Sequence, residues 1–223
     1  MAQKNLIIGG FTNYGINQLK PWVLSAKEVA GNDDVVLVYG NTTQSTLDWL
    51  TEQGVILFPM TQVQGVPVHV LRFLSIYEYL RHNWAKYRFV VTTDVKDVYF
   101  QVDPFTLVQQ YLGLDGGLVI ASEELKYKDE AWGNENLMQA YGPYVYELFK
   151  NNTIYNVGTF GGRSEQVKDM VFNIFTNAIN RPIPIVDQAV FNVLVGTQPY
   201  KDIVHPTNNW ACEAGTVADP TKI

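Results

Sequence analysis

The chain has 223 residues, 47% of them hydrophobic and 17% charged, which excludes a disordered chain and provides for a substantial core. A net charge of −6 argues against a general nucleic-acid surface. The single cysteine, Cys212, excludes an intrachain disulfide and fits a reducing compartment.

The first apolar run, Leu6-Ile7-Ile8, is too short for a signal-peptide core. No apolar stretch reaches the roughly 18 residues that a spanning helix requires. No membrane span and a cytoplasmic location are therefore expected. Asn41-Thr42-Thr43 and Asn151-Asn152-Thr153 match the glycosylation acceptor pattern and are read as chance matches.

Strand and helix signals alternate. Residues 6–9 read as a buried strand ended by Gly9-Gly10, and 17–30 as a helix closed by Gly31-Asn32. Residues 35–39 (VVLVY) have the pattern of a parallel strand buried on both faces, stopped by Gly40-Asn41. A helix over 43–53, a strand over 55–58 and a helix over 67–83, with Pro67 in its first turn, follow. Residues 88–92 (RFVVT) form a fourth strand. This alternation predicts an α/β fold in one domain, with a largely parallel sheet flanked by helices.

The second half is less regular. It reads as a helix over 104–111, a strand over 117–121 and a helix over 135–150 kinked at Gly142-Pro143. A strand over 154–160 ends at Gly161-Gly162. Residues 164–178 form an amphipathic helix, with Ser164 placed to cap it. A short helix over 186–195 and a strand over 203–204 come last.

Chemistry concentrates after the fourth strand, in Thr92-Thr93-Asp94-Val95-Lys96-Asp97. Open α/β sheets bind ligands at the carboxyl ends of their strands. Two carboxylates there repel each other unless a positive group intervenes, and Mg²⁺ or Mn²⁺ takes such oxygen ligands together with substrate phosphates. The alternative is that Asp94 caps the next turn and Asp97 is solvated. His205, just after the last strand, is a competent third ligand or a structural histidine. Arg72, early on the helix before the acids, is placed to meet a phosphate or is a surface charge. Asn156-Val157-Gly158-Thr159-Phe160 runs into glycines that permit close ligand approach or simply make a turn.

These pieces, in this order, resemble a glycosyltransferase of the GT-A fold, and in particular glycogenin-like retaining enzymes and the small chlorovirus capsid-modifying glycosyltransferases. The resemblance covers about residues 6–212. It implies one GT-A domain over 1–212, with a nucleotide-binding half (1–100) and a donor-sugar and acceptor half (101–212), then a tail over 213–223. It implies Mn²⁺ or Mg²⁺ on Asp94, Asp97 and His205. It implies a nucleotide-sugar donor, by default UDP-glucose or another UDP-hexose, and a glycan or protein-linked acceptor, in the host cytoplasm if the source is viral. Arg72 matches the basic residue before the metal motif, Asn156 and Gly158 match the Asn-x-Gly strand beside the donor sugar, and Asp187-Gln188 match a pair that contacts donor or acceptor. Asp187, Gln188 and Arg72 are thus the expected catalytic residues. Gly10, Phe11, Thr12, Tyr14, Tyr39, Asn41, Arg72, Asp94, Val95, Asn156 and Gly158 are the expected donor-binding set.

Two departures stand out. The motif is Asp94-x-x-Asp97 rather than a strict Asp-x-Asp, and the segment His205-Pro206-Thr207-Asn208-Asn209-Trp210 lacks the family's lysine. An inverting reaction would need a base, for which Asp187, Glu123, Glu124, Asp129 and Glu130 are candidates; the last four also fit a solvated loop. The resemblance favours retention. Trp132 and Trp210 lie in predicted loops where they could stack on a sugar. A sugar nucleotidyltransferase is disfavoured because residues 9–15 contain no Lys or Arg. A non-catalytic binding module and a metal-dependent phosphohydrolase are the competing functions.

Overall fold

A computed structural model describes residues 3–113, 116–207 and 210–211. Cys212, the expected tail 213–223, and Asn208 and Asn209 of the late motif lie outside the described residues.

Seven strands form one sheet in the order β3-β2-β1-β4-β6-β5-β7. They are β1 (Lys4–Phe11), β2 (Asp34–Tyr39), β3 (Ile56–Pro59), β4 (Tyr87–Thr93), β5 (Leu118–Lys126), β6 (Thr153–Arg163) and β7 (Val204–Thr207). β1 to β4 pair in parallel, β6 runs antiparallel to both neighbours, and β7 pairs in parallel with β5. The helices are α1 (Ile16–Ala30), α2 (Gln44–Glu52), α3 (Val68–Asn83), α4 (Pro104–Leu112), α5 (Ala131–Phe149), α6 (Ser164–Ala178) and α7 (Asp187–Val195). The expected α/β class and mostly parallel sheet are what the structure shows.

Strand periodicity assigns the two faces. Leu6 and Ile8 point into a core with α3, α5, α6 and α7, while Ile7 points into a second core with α1, α2 and α4. A strand buried on both sides needs apolar residues at every position, which explains the unbroken runs in β1, β2 and β4. The chain passes from β1 to β2 on one side, and after β3 returns to β4 on the other. The β1/β4 seam is therefore the topological switch point, where open sheets place their ligands.

Several boundaries differ from those expected, for physical reasons. Gly9 and Gly10 do not end β1; they pair with Leu37 and Val38 inside it. Glycine is needed there for space. A Cβ on Gly9 would stand 2.5 Å from Val95 Cγ2, and one on Gly10 would stand 2.9 Å from Val38 Cγ2 and 3.0 Å from Arg72 Cβ. β5 continues to Lys126, so Glu123 and Glu124 lie in a strand rather than a solvated loop. Ser164 does not cap α6: Arg163 holds the cap position, and Ser164 Oγ donates to Trp84 O at 2.9 Å. The kink in α5 falls at Gly142 (φ 82°) as expected, but the helix starts earlier, because the Glu130 side chain caps it by accepting from Trp132 N and Gly133 N. Among the described residues, no helix is long and apolar enough to cross a membrane.

Close packing of α3 on β1 yields a test. Gly10→Ala should force α3 and the Arg72 backbone away from the sheet. We expect a loss of about 1–3 kcal/mol, read as a lower urea midpoint with an unchanged slope.

Candidate functional site

The site is built at the β1/β4 seam from α3, β4, β5, β6 and α7. Arg72 sits in the second turn of α3, with its side chain only 15% exposed. Its Nη1 donates to Asp94 Oδ1, and its Nη2 donates to Asp187 Oδ2 at 3.1 Å. One guanidinium thus joins the end of β4 to the first turn of α7. His69, one turn earlier on α3, contacts Pro184 O in the segment leading to α7 and so ties α3 to the approach to α7. Burial pulls the Arg72 pKa down; opposing this are Asp187, by charge and hydrogen bond, then Asp97 and Tyr14 by charge. Arginine keeps its proton under such conditions, so the group remains a fixed cation.

Asp94 is also held through its backbone, whose N–H donates to Gly158 O at 2.6 Å. Its carboxylate lies over the bare α-carbon of Gly158. A Cβ there would collide with Asp94 Oδ2 and stand 2.8 Å from Asn156 Oδ1. Glycine at 158 thus lets an acid from β4 and an amide from β6 share one spot.

The β5–β6 ladder breaks twice at this place. Ile120 pairs with Phe160, but Ala121 pairs with Asn156, so residues 157–159 of β6 are skipped by β5, while Thr159 still pairs with Thr93 of β4. Ser122 pairs with Tyr155, but Lys126 pairs with Thr153, so residues 123–125 bulge out of β5. Glu124 adopts φ 57°, which few non-glycine residues do. Bulges of this kind re-aim side chains. Here Glu123 Oε1 accepts from Gln188 Nε2 at 2.7 Å and from Asn156 Nδ2 at 3.2 Å. Gln188 Oε1 in turn accepts from Val157 N at 3.0 Å, and Asn156 Oδ1 from Gly158 N at 2.7 Å. Because Asp187 and Gln188 are consecutive, the ionic cluster and the amide cluster form one continuous constellation.

A second region faces the loops after β1 and β2. Asn13 (φ 59°) donates its N–H to Asn41 O at 2.6 Å, and its side-chain oxygen accepts from Asn41 Nδ2 at 2.8 Å. Thr12 Oγ1 accepts from Asn41 N at 3.0 Å, and Thr42 Oγ1 donates to Tyr14 O at 2.9 Å. The two loops are therefore laced together before any ligand arrives.

No protein-family model matches the chain, and no curated protein does. Its structure is similar to that of the bifunctional glycosyltransferase WbbM in the apo form, with a TM-score of 0.58 and 13% identity over 93% of this chain and 39% of that one. It is also similar to the glycosyltransferase GlyE of Streptococcus pneumoniae TIGR4, with a TM-score of 0.52 and 13% identity over 93% of this chain and 46% of that one. The chain has a glycosyltransferase fold. It spans less than half the length of either of these proteins.

Within this fold the expected site residues separate into groups. Arg72, Asp94, Asn156, Gly158, Asp187 and Gln188 come together. Asp97 is exposed, and near enough for its charge to act on Arg72. Thr12, Tyr14, Tyr39 and Asn41 stand at or beside the laced loops, and Gly10 lies under Arg72. Phe11 and Val95 turn their side chains away, 2% and 3% exposed in the α1-side core. Trp132 is half exposed at the start of α5, while Trp210 packs against the α1-side core.

His205 is not brought to the aspartates. It pairs with Val119 on the edge strand β7, and its Nε2 would lie 3.2 Å from a Cβ on Gly117. Strands β6 and β5 intervene between β7 and β4, a gap of roughly 14 Å at the usual strand spacing. Among the described residues no group of three His, Cys, Asp or Glu side chains could hold a metal ion. Asp94 and the exposed Asp97, three residues on, are hard-oxygen donors of the kind that Mg²⁺ or Mn²⁺ accepts when substrate phosphates complete its shell. The charges also favour a cation, since Asp94, Asp97, Asp187 and Glu123 gather with Arg72 as the one cation in this constellation among the described residues. The residues present therefore fit a divalent ion on two carboxylates, without His205.

Sequence reasoning missed His69, which carries no local signal, and Asn13, whose αL conformation an Asn before Tyr14 hints at. Glu123 was visible only as one of several acids.

The Arg72 bridge can be tested without any ligand. Asp187→Asn should destabilise the fold by about 1–3 kcal/mol. Combining it with Arg72→Met should cost less than the sum of the single changes, measured by denaturant titration of all four proteins.

Proposed function

We propose that the chain transfers a sugar from a nucleotide-diphosphate sugar, by default a UDP-hexose, to a hydroxyl acceptor on a glycan or protein. The observation that carries this reading is the continuous constellation of Arg72, Asp94, Asn156, Gly158, Glu123, Asp187 and Gln188 at the switch point of a glycosyltransferase fold. A bare nucleotide-binding module would need the laced loops after β1 and β2. It would have no use for a buried ion bridge and two oriented amides beside them.

The roles follow from the groups. Thr12, Asn13, Tyr14, Tyr39 and Asn41 present ordered polar and aromatic surface for base and ribose. Asp94 and Asp97 would hold Mn²⁺ or Mg²⁺, which when bound supplies positive charge to the departing diphosphate. Arg72 adds a fixed positive charge at the same edge. Asn156, Asp187 and Gln188 hold sugar hydroxyls and orient the anomeric carbon.

Asp187 is engaged by Arg72, so it is a poor base for the acceptor. This supports transfer with retention. On that route the acceptor oxygen bonds to the anomeric carbon on the face from which the bond to the diphosphate oxygen breaks. The acceptor proton passes to that departing oxygen, and no side-chain base is required.

The test is a thermal-shift panel of nucleotide sugars with and without Mn²⁺. One donor class should raise the melting temperature only with the metal, and Asp97→Ala should remove that dependence while leaving the unliganded melting temperature close to wild type. No shift with any nucleotide or nucleotide sugar would overturn the reading. An undiminished shift in excess chelator would overturn the metal assignment alone.

A further inference from the structure

We infer that Glu123 is a specificity-determining residue of the donor-sugar subsite, which admits uncharged sugars and rejects those bearing a carboxylate. The inference rests on the transferase reading above.

The first ground is placement. Glu123 reaches the site because β5 bulges over residues 123–125 and Glu124 takes an αL conformation. Conformations of this kind persist when surrounding structure holds them, and they cluster at functional sites. The register break at residues 157–159 of β6 answers it, with Asn156 and Gly158 at the same edge. Two irregularities in one ladder thus converge on one group of side chains.

The second ground is hydrogen-bond logic. A carboxylate only accepts. With Glu123 ionised, Gln188 and Asn156 must both turn their NH₂ groups toward it. Their carbonyl oxygens are then left for the backbone N–H groups of Val157 and Gly158, where the structure has them. One charge fixes both amides. A sugar held beside them meets donor groups in a single arrangement.

The third ground is charge. Arg72, the cation of this constellation, is already shared between Asp94 and Asp187. Glu123 adds a further negative charge on the amide side, near enough to raise the pKa of the buried Tyr127 phenol, for which burial is the larger cause. A hexose with neutral hydroxyls can bond to the amides without facing that charge. A uronic acid would bring a further carboxylate into this group, where among the described residues the one cation of the constellation, Arg72, is already shared between Asp94 and Asp187, and like charges juxtaposed this way oppose binding.

The experiment uses matched donors that differ only at C6: UDP-glucose against UDP-glucuronic acid, and GDP-mannose against GDP-mannuronic acid. Calorimetric affinity is measured for the whole chain, with UDP and GDP as references. Wild type should favour the neutral member of the pair it recognises by more than about tenfold. Glu123→Gln should narrow that ratio about tenfold or more and leave the affinity for the nucleoside diphosphate unchanged. A neutral preference in wild type that persists undiminished in Glu123→Gln assigns the residue a merely structural role and overturns the inference. If that variant does not fold, the wild-type ratio at rising ionic strength replaces it, because salt screens repulsion between charges; a ratio insensitive to salt overturns the inference equally. Equal wild-type affinity for both members of a pair overturns it outright and leaves the transferase reading standing. No binding of any nucleotide or nucleotide sugar defeats both.

Discussion

The Arg72 guanidinium, shared between Asp94 and Asp187, is the interaction on which the rest of the site depends. It is made by three elements: a helix on one face, the end of a central strand, and the start of a late helix. Removing a charge from water is costly unless partners replace the lost hydration. Each carboxylate is therefore needed for the arginine to stay buried, and the arginine is needed for the two carboxylates to lie so close. Gly10 permits the approach of α3, and Gly158 permits that of Asp94. Small residues at two points thus let a large charged group occupy the seam.

From this bridge the constellation spreads along the backbone. Asp187 leads to Gln188, and Gln188 leads to Glu123 and Val157. Asp94 leads through its N–H to Gly158, and Gly158 to Asn156. The two amide side chains are each held by a backbone N–H as well as by Glu123, so their orientation is set before a substrate enters. Preorganisation of this kind lets oriented groups contribute to binding and rate without a reordering cost.

Much of the fold was legible in the sequence, because strands buried on both faces need unbroken apolar runs such as VVLVY, and because the helix of α6 shows its period plainly. Arg72, Asp94, Asn156, Asp187 and Gln188 could be named because strand ends and helix starts in an alternating chain point to one edge of a sheet. What escaped was non-local. Gly9 and Gly10 look like a stop signal, yet they sit inside a strand because side chains from β2, α3 and the β4 loop crowd them. The two bulges in the β5–β6 ladder are set by pairing between distant segments, so nothing near Glu123 announces its aim. The placement of His205 depended on the position of β7 in the sheet order, which no local pattern encodes. The similarity to parts of WbbM and GlyE at 13% identity shows how far such a fold is compatible with different side chains.

The reversed direction of β6 has a consequence for how such a site can diversify. Its neighbours deliver their last residues to the ligand edge, whereas β6 delivers its first. The short connection before it, where Asn152 and Lys150 carbonyls accept from Tyr127 N and Lys128 N, therefore opens on the same rim as the loops after β1, β2 and β4. An insertion there would remodel the mouth of the cleft from the far side, with the switch point and its ion bridge left intact. The rim of the sheet edge is in this way shared by separate stretches of chain, free to vary at different rates.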